Sequence, residues 1–111
     1  MGDSPNLLKG TLDVMILKAL SGEPMHGYAV SRWIRGMTEE LLEVEDAALY
    51  QALHRMEGRG WLESEWGRSK NNRRAKYYRL TERGRRELLR QARSIRRYAR
   101  ALLAVLAAEP A

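Results

Sequence analysis

The sequence predicts a mainly α fold with one small β-hairpin: three short helices, the hairpin, then a long C-terminal helix. Three observations predict it. Apolar residues recur at helical spacing in three short segments ahead of residue 60. Two aromatic-bearing runs then flank a polar, basic stretch over residues 67–74. An apolar repeat stepping by 4 and 3 closes the chain. The length of 111 residues, with 44% apolar and 31% charged, is that of one globular domain.

In the first segment Leu8, Leu12, Met15, Ile16 and Ala19 share one helix face, with Gly22 expected as its C-cap and Pro24 as its stop. The second starts near His26 and places Val30, Trp33, Ile34, Met37 and Leu41 on one face. The third buries Leu49, Ala52, Leu53 and Met56, with Glu45 or Asp46 to cap it and an end near Gly58 or Gly60. Residues 61–66 and 75–80 read as strands joined by a long loop, with Trp61 and Leu62 anchoring the hairpin to the helices. Thr81 is the expected N-cap of the last helix, which runs to about Ala108. Leu88, Ala92, Ile95, Ala99, Leu102 and Leu106 form a seam of a/d type along it, widened by Leu89, Tyr98 and Leu103. So long a stripe exceeds what this small body can cover. Its first turns complete the intrachain core, and the remainder predicts a homodimer.

Composition excludes several classes. Without cysteine there is no disulfide, thiol nucleophile or thiolate metal site. Stretches free of Asp, Glu, Lys and Arg reach only eight residues, as over 101–108, so no membrane span is expected. The start of the chain matches neither a signal peptide nor a myristoylation pattern, which predicts a cytoplasmic protein. His26 and His54 lie on different helices, in no metal-ligand spacing, and no glycine-rich phosphate loop occurs. The carboxylates Glu39, Glu40, Glu43, Glu45 and Asp46 read as a solvated helix end. Neither enzyme chemistry, cofactor nor metal is expected.

Charge is the positive clue. Residues 1–66 hold 6 basic and 11 acidic side chains, a net of −5, whereas residues 67–111 hold 14 and 3, a net of +11. Such asymmetry points to a polyanion met by the second half. The outward face of the third helix carries Ala47, Gln51 and His54, flanked by Ala48, Tyr50 and Arg55. Small and hydrogen-bonding side chains suit base edges, and Tyr50 and Arg55 suit phosphates. Beside it the loop and second strand bear Arg68, Lys70, Asn71, Asn72, Arg73, Arg74, Lys76 and Arg79 without an acid, an electrostatic footprint for a phosphate backbone. Three helices followed by a basic hairpin is the order of a winged helix-turn-helix, whose third helix enters the major groove. Residues 1–80 are read as this domain and residues 81–111 as the dimerisation helix. Arg83, Arg85 and Arg86 extend the phosphate track. The other arginines of the last helix are read as keeping it soluble.

The residues resemble the PadR family of bacterial transcriptional regulators. The resemblance rests on His26-Gly27-Tyr28-Ala29-Val30, on Leu49-Tyr50-Gln51-Ala52-Leu53-His54-Arg55-Met56-Glu57, and on Tyr77-Tyr78-Arg79-Leu80-Thr81-Glu82-Arg83-Gly84-Arg85. The opening Leu8-Lys9-Gly10-Thr11-Leu12-Asp13 is also similar, and the match spans about residues 7–90. It implies a dimeric winged-helix repressor paired through C-terminal helices, binding double-stranded DNA, with His26 and Tyr28 near the backbone. For some members it implies release by a small aromatic effector. Gln51 stands where the family commonly has Pro, and Ala47-Ala48 where small hydroxyl residues are frequent. The single C-terminal helix matches the short subgroup. Trp33, Trp61 and Trp66 are read as packing residues rather than ligand platforms. Two other readings share these residues: a sensor whose dimer-interface pocket binds an aromatic effector, and a winged-helix protein-interaction module without a DNA site.

Overall fold

The computed structural model describes residues 10–110. In order these form α1 (Thr11–Ala19), β1 (Met25–His26), α2 (Gly27–Met37), α3 (Asp46–Gly58), β2 (Leu62–Arg68), β3 (Arg74–Leu80) and α4 (Glu82–Ala107). Leu8-Lys9, expected at the head of the first helix, lies outside the described residues.

Ile16 and Leu17 of α1, Val30 and Ile34 of α2, and Leu49, Leu53 and Met56 of α3 are all but fully buried together. Leu62, Tyr78 and Leu80 seal this core from the sheet side, and Leu12, Trp33, Trp61 and Leu88 pack around it. Each such side chain contributes on the order of 1.5–3 kcal/mol by leaving water. The helical spacings in the sequence therefore converge on one core.

Several details differ from expectation. Gly22 does not cap α1. Leu20 follows the helix directly, and both the backbone N–H and the hydroxyl of Ser21 donate to the Lys18 carbonyl, so no left-handed glycine is needed. Met37 and Leu41 do not continue the buried face of α2. The helix ends at Met37, and Glu39 and Glu40 take positive φ values of 52° and 67°. That turn breaks the helical register and leaves Leu41 56% exposed. Thr38 closes the end, donating its hydroxyl to the Ile34 carbonyl and accepting the Leu42 N–H. Glu45 holds the N-cap position of α3 without a side-chain capping bond, and Asp46 lies in the first turn.

The hairpin is longer, and its loop shorter, than the sequence predicts. Pairing runs from Leu62↔Leu80 to Arg68↔Arg74, leaving residues 69–73 as the turn, while Trp61 precedes the strand. Ser69 N–H donates to the Arg73 carbonyl, Asn72 N–H donates to the Ser69 carbonyl, and Asn72 accepts φ 59°, a conformation asparagine tolerates. A third, two-residue strand, absent from the sequence reading, pairs Met25 with Tyr78 and His26 with Tyr77, giving the antiparallel order β1-β3-β2.

Thr81 caps α4 as expected, its Oγ1 accepting the Gly84 N–H at 3.0 Å. Gly84 permits a tight approach, since a Cβ there would stand 2.1 Å from the Trp61 carbonyl oxygen. The helix packs along α1. Leu88, Ala92, Ile95 and Ala99 are half-buried, whereas Leu102 is exposed and Leu106 is 72% exposed.

Candidate nucleic-acid interface

Burial of Leu49, Ala52, Leu53 and Met56 fixes the rotation of α3 and turns Ala47, Tyr50, Gln51, His54 and Arg55 to solvent, with Ala48 half-buried. Ala47, Gln51 and His54 leave an uncharged outward stripe. Tyr50 leans from this helix onto the start of α2. Its ring carbons Cε1 and Cζ and its hydroxyl lie where a Cβ on Gly27 would be only 2.7 Å away. Gly27 is the residue that permits this contact.

Arg55 is already engaged. It makes a two-pronged ion pair with Asp13 of α1, at 2.7 and 2.9 Å. These hydrogen bonds, opposed by partial burial, hold the guanidinium above its ordinary pKa and tie α3 to α1. His26 also has a structural duty: its Nδ1 accepts the Ala29 N–H at 3.1 Å and caps α2. This leaves its Nε2 for any outside contact. Tyr28 is exposed, with Arg32 one turn later 5.7 Å from its ring centre.

The hairpin faces α2 and α3 across an open cleft of about 1330 Å³. Tyr28, Arg32, Tyr50, Trp66, Lys76 and Tyr77 are among its walls. A typical small-ligand pocket holds about 300–1,000 Å³ and closes around its guest. This cleft is larger and open, which suits a passing chain. Aromatic rings underlie two wing cations: Arg74 lies 4.4 Å from the ring centre of Trp66, and Lys76 lies 5.6 Å from that of Tyr78. Such contacts help fix long side chains in place.

The wing cations divide in two. Arg79 is held by Glu63 and Glu65 on the neighbouring strand, which leaves it neutralised and above its ordinary pKa. Lys76 has Glu57 at 3.5 Å, and Glu57 also accepts the Ser64 hydroxyl at 2.6 Å. Arg68 donates to the Asn72 carbonyl across the turn. Lys70, Arg73 and Arg74 have no acidic partner among the described residues and lie with exposed Asn71 and Asn72 around the tip.

Arg32 and Trp66 were not anticipated as part of this cleft. Arg32 had a legible signal, sitting one helical turn beyond Tyr28. Trp66 had none, because strand alternation alone does not say which hairpin face overlooks the helices. Of the other tryptophans, Trp61 packs against the core, and Trp33 does so while also lining the cleft. Among the described residues no group of three His, Asp or Glu side chains is placed to hold a metal ion, and no helix is long and apolar enough to cross a membrane.

Three core helices, a recognition-type helix with a neutral outward face, a basic hairpin beside it and a long terminal helix define a winged helix-turn-helix protein of the kind that regulates transcription. Residues 16–90 match the Transcriptional regulator PadR-like family, and the chain belongs to that family. Its members are DNA-binding transcriptional regulators rather than enzymes. The fold is similar to that of a transcriptional regulator from Clostridium thermocellum, at TM-score 0.78 and 28% identity over 86% of this chain and 93% of that one. A PadR-like regulator from Bacillus cereus superposes at TM-score 0.78 with 26% identity, over 92% and 97% of the two chains. An uncharacterized protein of Lysinibacillus sphaericus is 29% identical over 71% of this chain and 72% of its own length.

Proposed function

We propose that the chain acts as a homodimeric repressor that reads a pseudo-palindromic operator. Two copies of α3 enter successive major grooves, about 34 Å apart. The observation that carries this reading is the neutral stripe of Ala47, Gln51 and His54 set beside a wing whose tip cations lack acidic partners among the described residues. Base edges are met by Ala47, Ala48, Gln51 and His54. Phosphates are met by Arg68, Lys70, Asn71, Asn72, Arg73, Arg74 and Lys76, and across the cleft by Tyr28, Tyr50 and the Nε2 of His26. Arg55 serves through Asp13, holding α3 at its angle, and reaches a phosphate only if that pair opens. The exposed distal seam of α4, with Leu102, Leu103 and Leu106, supports pairing with a second copy.

Selection of bound sequences from a random duplex pool at physiological salt tests this reading. A recovered inverted repeat with half-sites one turn apart is the expected result; a pool that stays random counts against it. On the selected site Gln51→Ala costs about 1–3 kcal/mol and relaxes one base position, while random DNA binds as before. Arg73→Ala with Arg74→Ala weakens both alike and flattens the salt dependence. Equal losses of Gln51→Ala on the selected site and on random DNA would reject the division between reading and holding.

A further inference from the structure

Five arginines of α4, Arg86, Arg90, Arg93, Arg97 and Arg100, step by 4, 3, 4 and 3. At about 100° per residue they share one face, opposite the Leu88–Leu106 seam, and all are exposed. Arg86 has Glu82 at 3.7 Å and Arg90 is held by Glu87. Arg93, Arg97 and Arg100 have no acidic partner among the described residues. Arg90, Arg93 and Arg97 also converge, with the Ser94 hydroxyl and Tyr98, around a shallow hollow of about 440 Å³.

Solubility alone does not account for this ridge. Like charges one turn apart destabilise a helix, here without acids to offset them along its second half. Solubility would equally be served by lysine, yet the helix has eight arginines and no lysine. The guanidinium fork matches phosphate oxygens in a way an ammonium does not. From Arg86 to Arg100 the ridge is about 21 Å long. A duplex carries a charge per roughly 1.7 Å of axis, so a similar length of DNA presents about a dozen phosphates.

We propose that this ridge binds the phosphate backbone of a second DNA duplex, so that a dimer seated on its operator also holds DNA from elsewhere. The inference rests on the operator-binding reading above. The ridge starts six residues beyond the end of β3, the wing tip lies at the other end of that strand, and the hollow on the ridge is lined by α4 residues. It is therefore a separate surface from the wing. A partner protein would need desolvated apolar anchors near the centre of its contact. The ridge has none along its midline, and exposed Leu89 and Tyr98 lie on its flanks. A membrane would take up the apolar seam, which points the opposite way.

The test compares the full-length chain with R93Q/R97Q/R100Q and with R68Q/R73Q/R74Q. Protein is loaded on bead-bound selected operator, washed, and offered a labelled duplex of random sequence. The wild type is expected to capture it in a salt-sensitive manner. The ridge variant should keep operator affinity within about twofold while capture falls roughly tenfold. Failure of the wild type to capture, equal capture by the ridge variant, or parallel loss of operator affinity would overturn the proposal. So would capture undone by polyglutamate well below the concentration at which free duplex competes, since the ridge would then fit an acidic protein. If no operator emerges from selection, the wing variant separates the two ideas. Residual duplex binding that disappears on adding the ridge substitutions supports the ridge, and none at all overturns it.

Discussion

Gly27 shows how much of the interface depends on a missing side chain. A Cβ built on it would stand only 2.7 Å from the Tyr50 ring, which reaches from α3 to the start of α2. Adding a Cβ pushes against the far end of a flexible side chain, so the fold survives but Tyr50 swings away. Gly27→Ala is expected to move the urea midpoint little, since at the first helical position the gain in propensity falls well short of the roughly 1 kcal/mol of a helix interior. Affinity for selected and random duplex should fall together if Tyr50, as proposed, meets backbone rather than bases. Titration with both duplexes checks this; a drop confined to the selected site would move Tyr50 to the reading group. Gly84 is the opposite case. A Cβ there meets the Trp61 backbone carbonyl at 2.1 Å, and neither helix nor loop yields without losing the Thr81 cap. Gly84→Ala should lower stability by about 1–3 kcal/mol despite its better helix propensity, read as a reduced denaturant midpoint.

At the scale of elements, α4 carries an acid-sensitive joint near its start. The hydrogen bond from Arg90, joined by one from Gln91 and opposed by burial, holds Glu87 below the usual carboxylate range. A depressed carboxylate contributes stability above its unfolded pKa, about 4.3, and loses it as pH falls through the lower folded value. Stability should therefore decline on acidification below about pH 4.3, and Glu87→Gln should flatten that limb while lowering the plateau at neutral pH. Thermal melts at stepped pH measure both. The elements themselves were largely legible in the sequence. Helical periodicity placed α1, α3 and α4, and Thr81 announced its own capping role. What periodicity does not encode was missed. Leu41 fits the period of α2 but follows two residues at positive φ, and β1 is two residues long, too short to alternate. At the site, the outward face of α3 followed directly from its core residues. The engagement of Arg55 by Asp13, 42 residues away, belongs to tertiary packing and has no local signature.

For the whole molecule the central quantity is the unpaired end of α4. Its proximal seam is half-covered by the same chain, while Leu102, Leu103, Val105 and Leu106 stand in solvent. A lone copy exposes these residues at the tip of a helix about 39 Å long. Leu102→Asp with Leu106→Asp is expected to yield a folded monomer by sedimentation, with the core signal intact. Its operator affinity should fall by two orders of magnitude or more, since each half-site then binds without the linkage that multiplies affinity by roughly 10²–10⁴.

Between Leu80, which ends β3, and Glu82, which begins α4, stands only Thr81, and it is bonded on both sides: to the Gly60 and Trp61 carbonyls through its hydroxyl, and to Gly84 N–H as acceptor. The hairpin and the long helix thus meet at an elbow with no slack. Seven strand residues make a lever of roughly 23 Å, so a tilt of about 5° transmitted from α4 displaces the turn around Arg73 by about 2 Å. That is comparable to the reach of a hydrogen bond. In the proposed dimer, a change in the angle between the two copies of α4 would therefore be felt at the wing tips, and the spacing of the wings would be tuned from the far end of the chain.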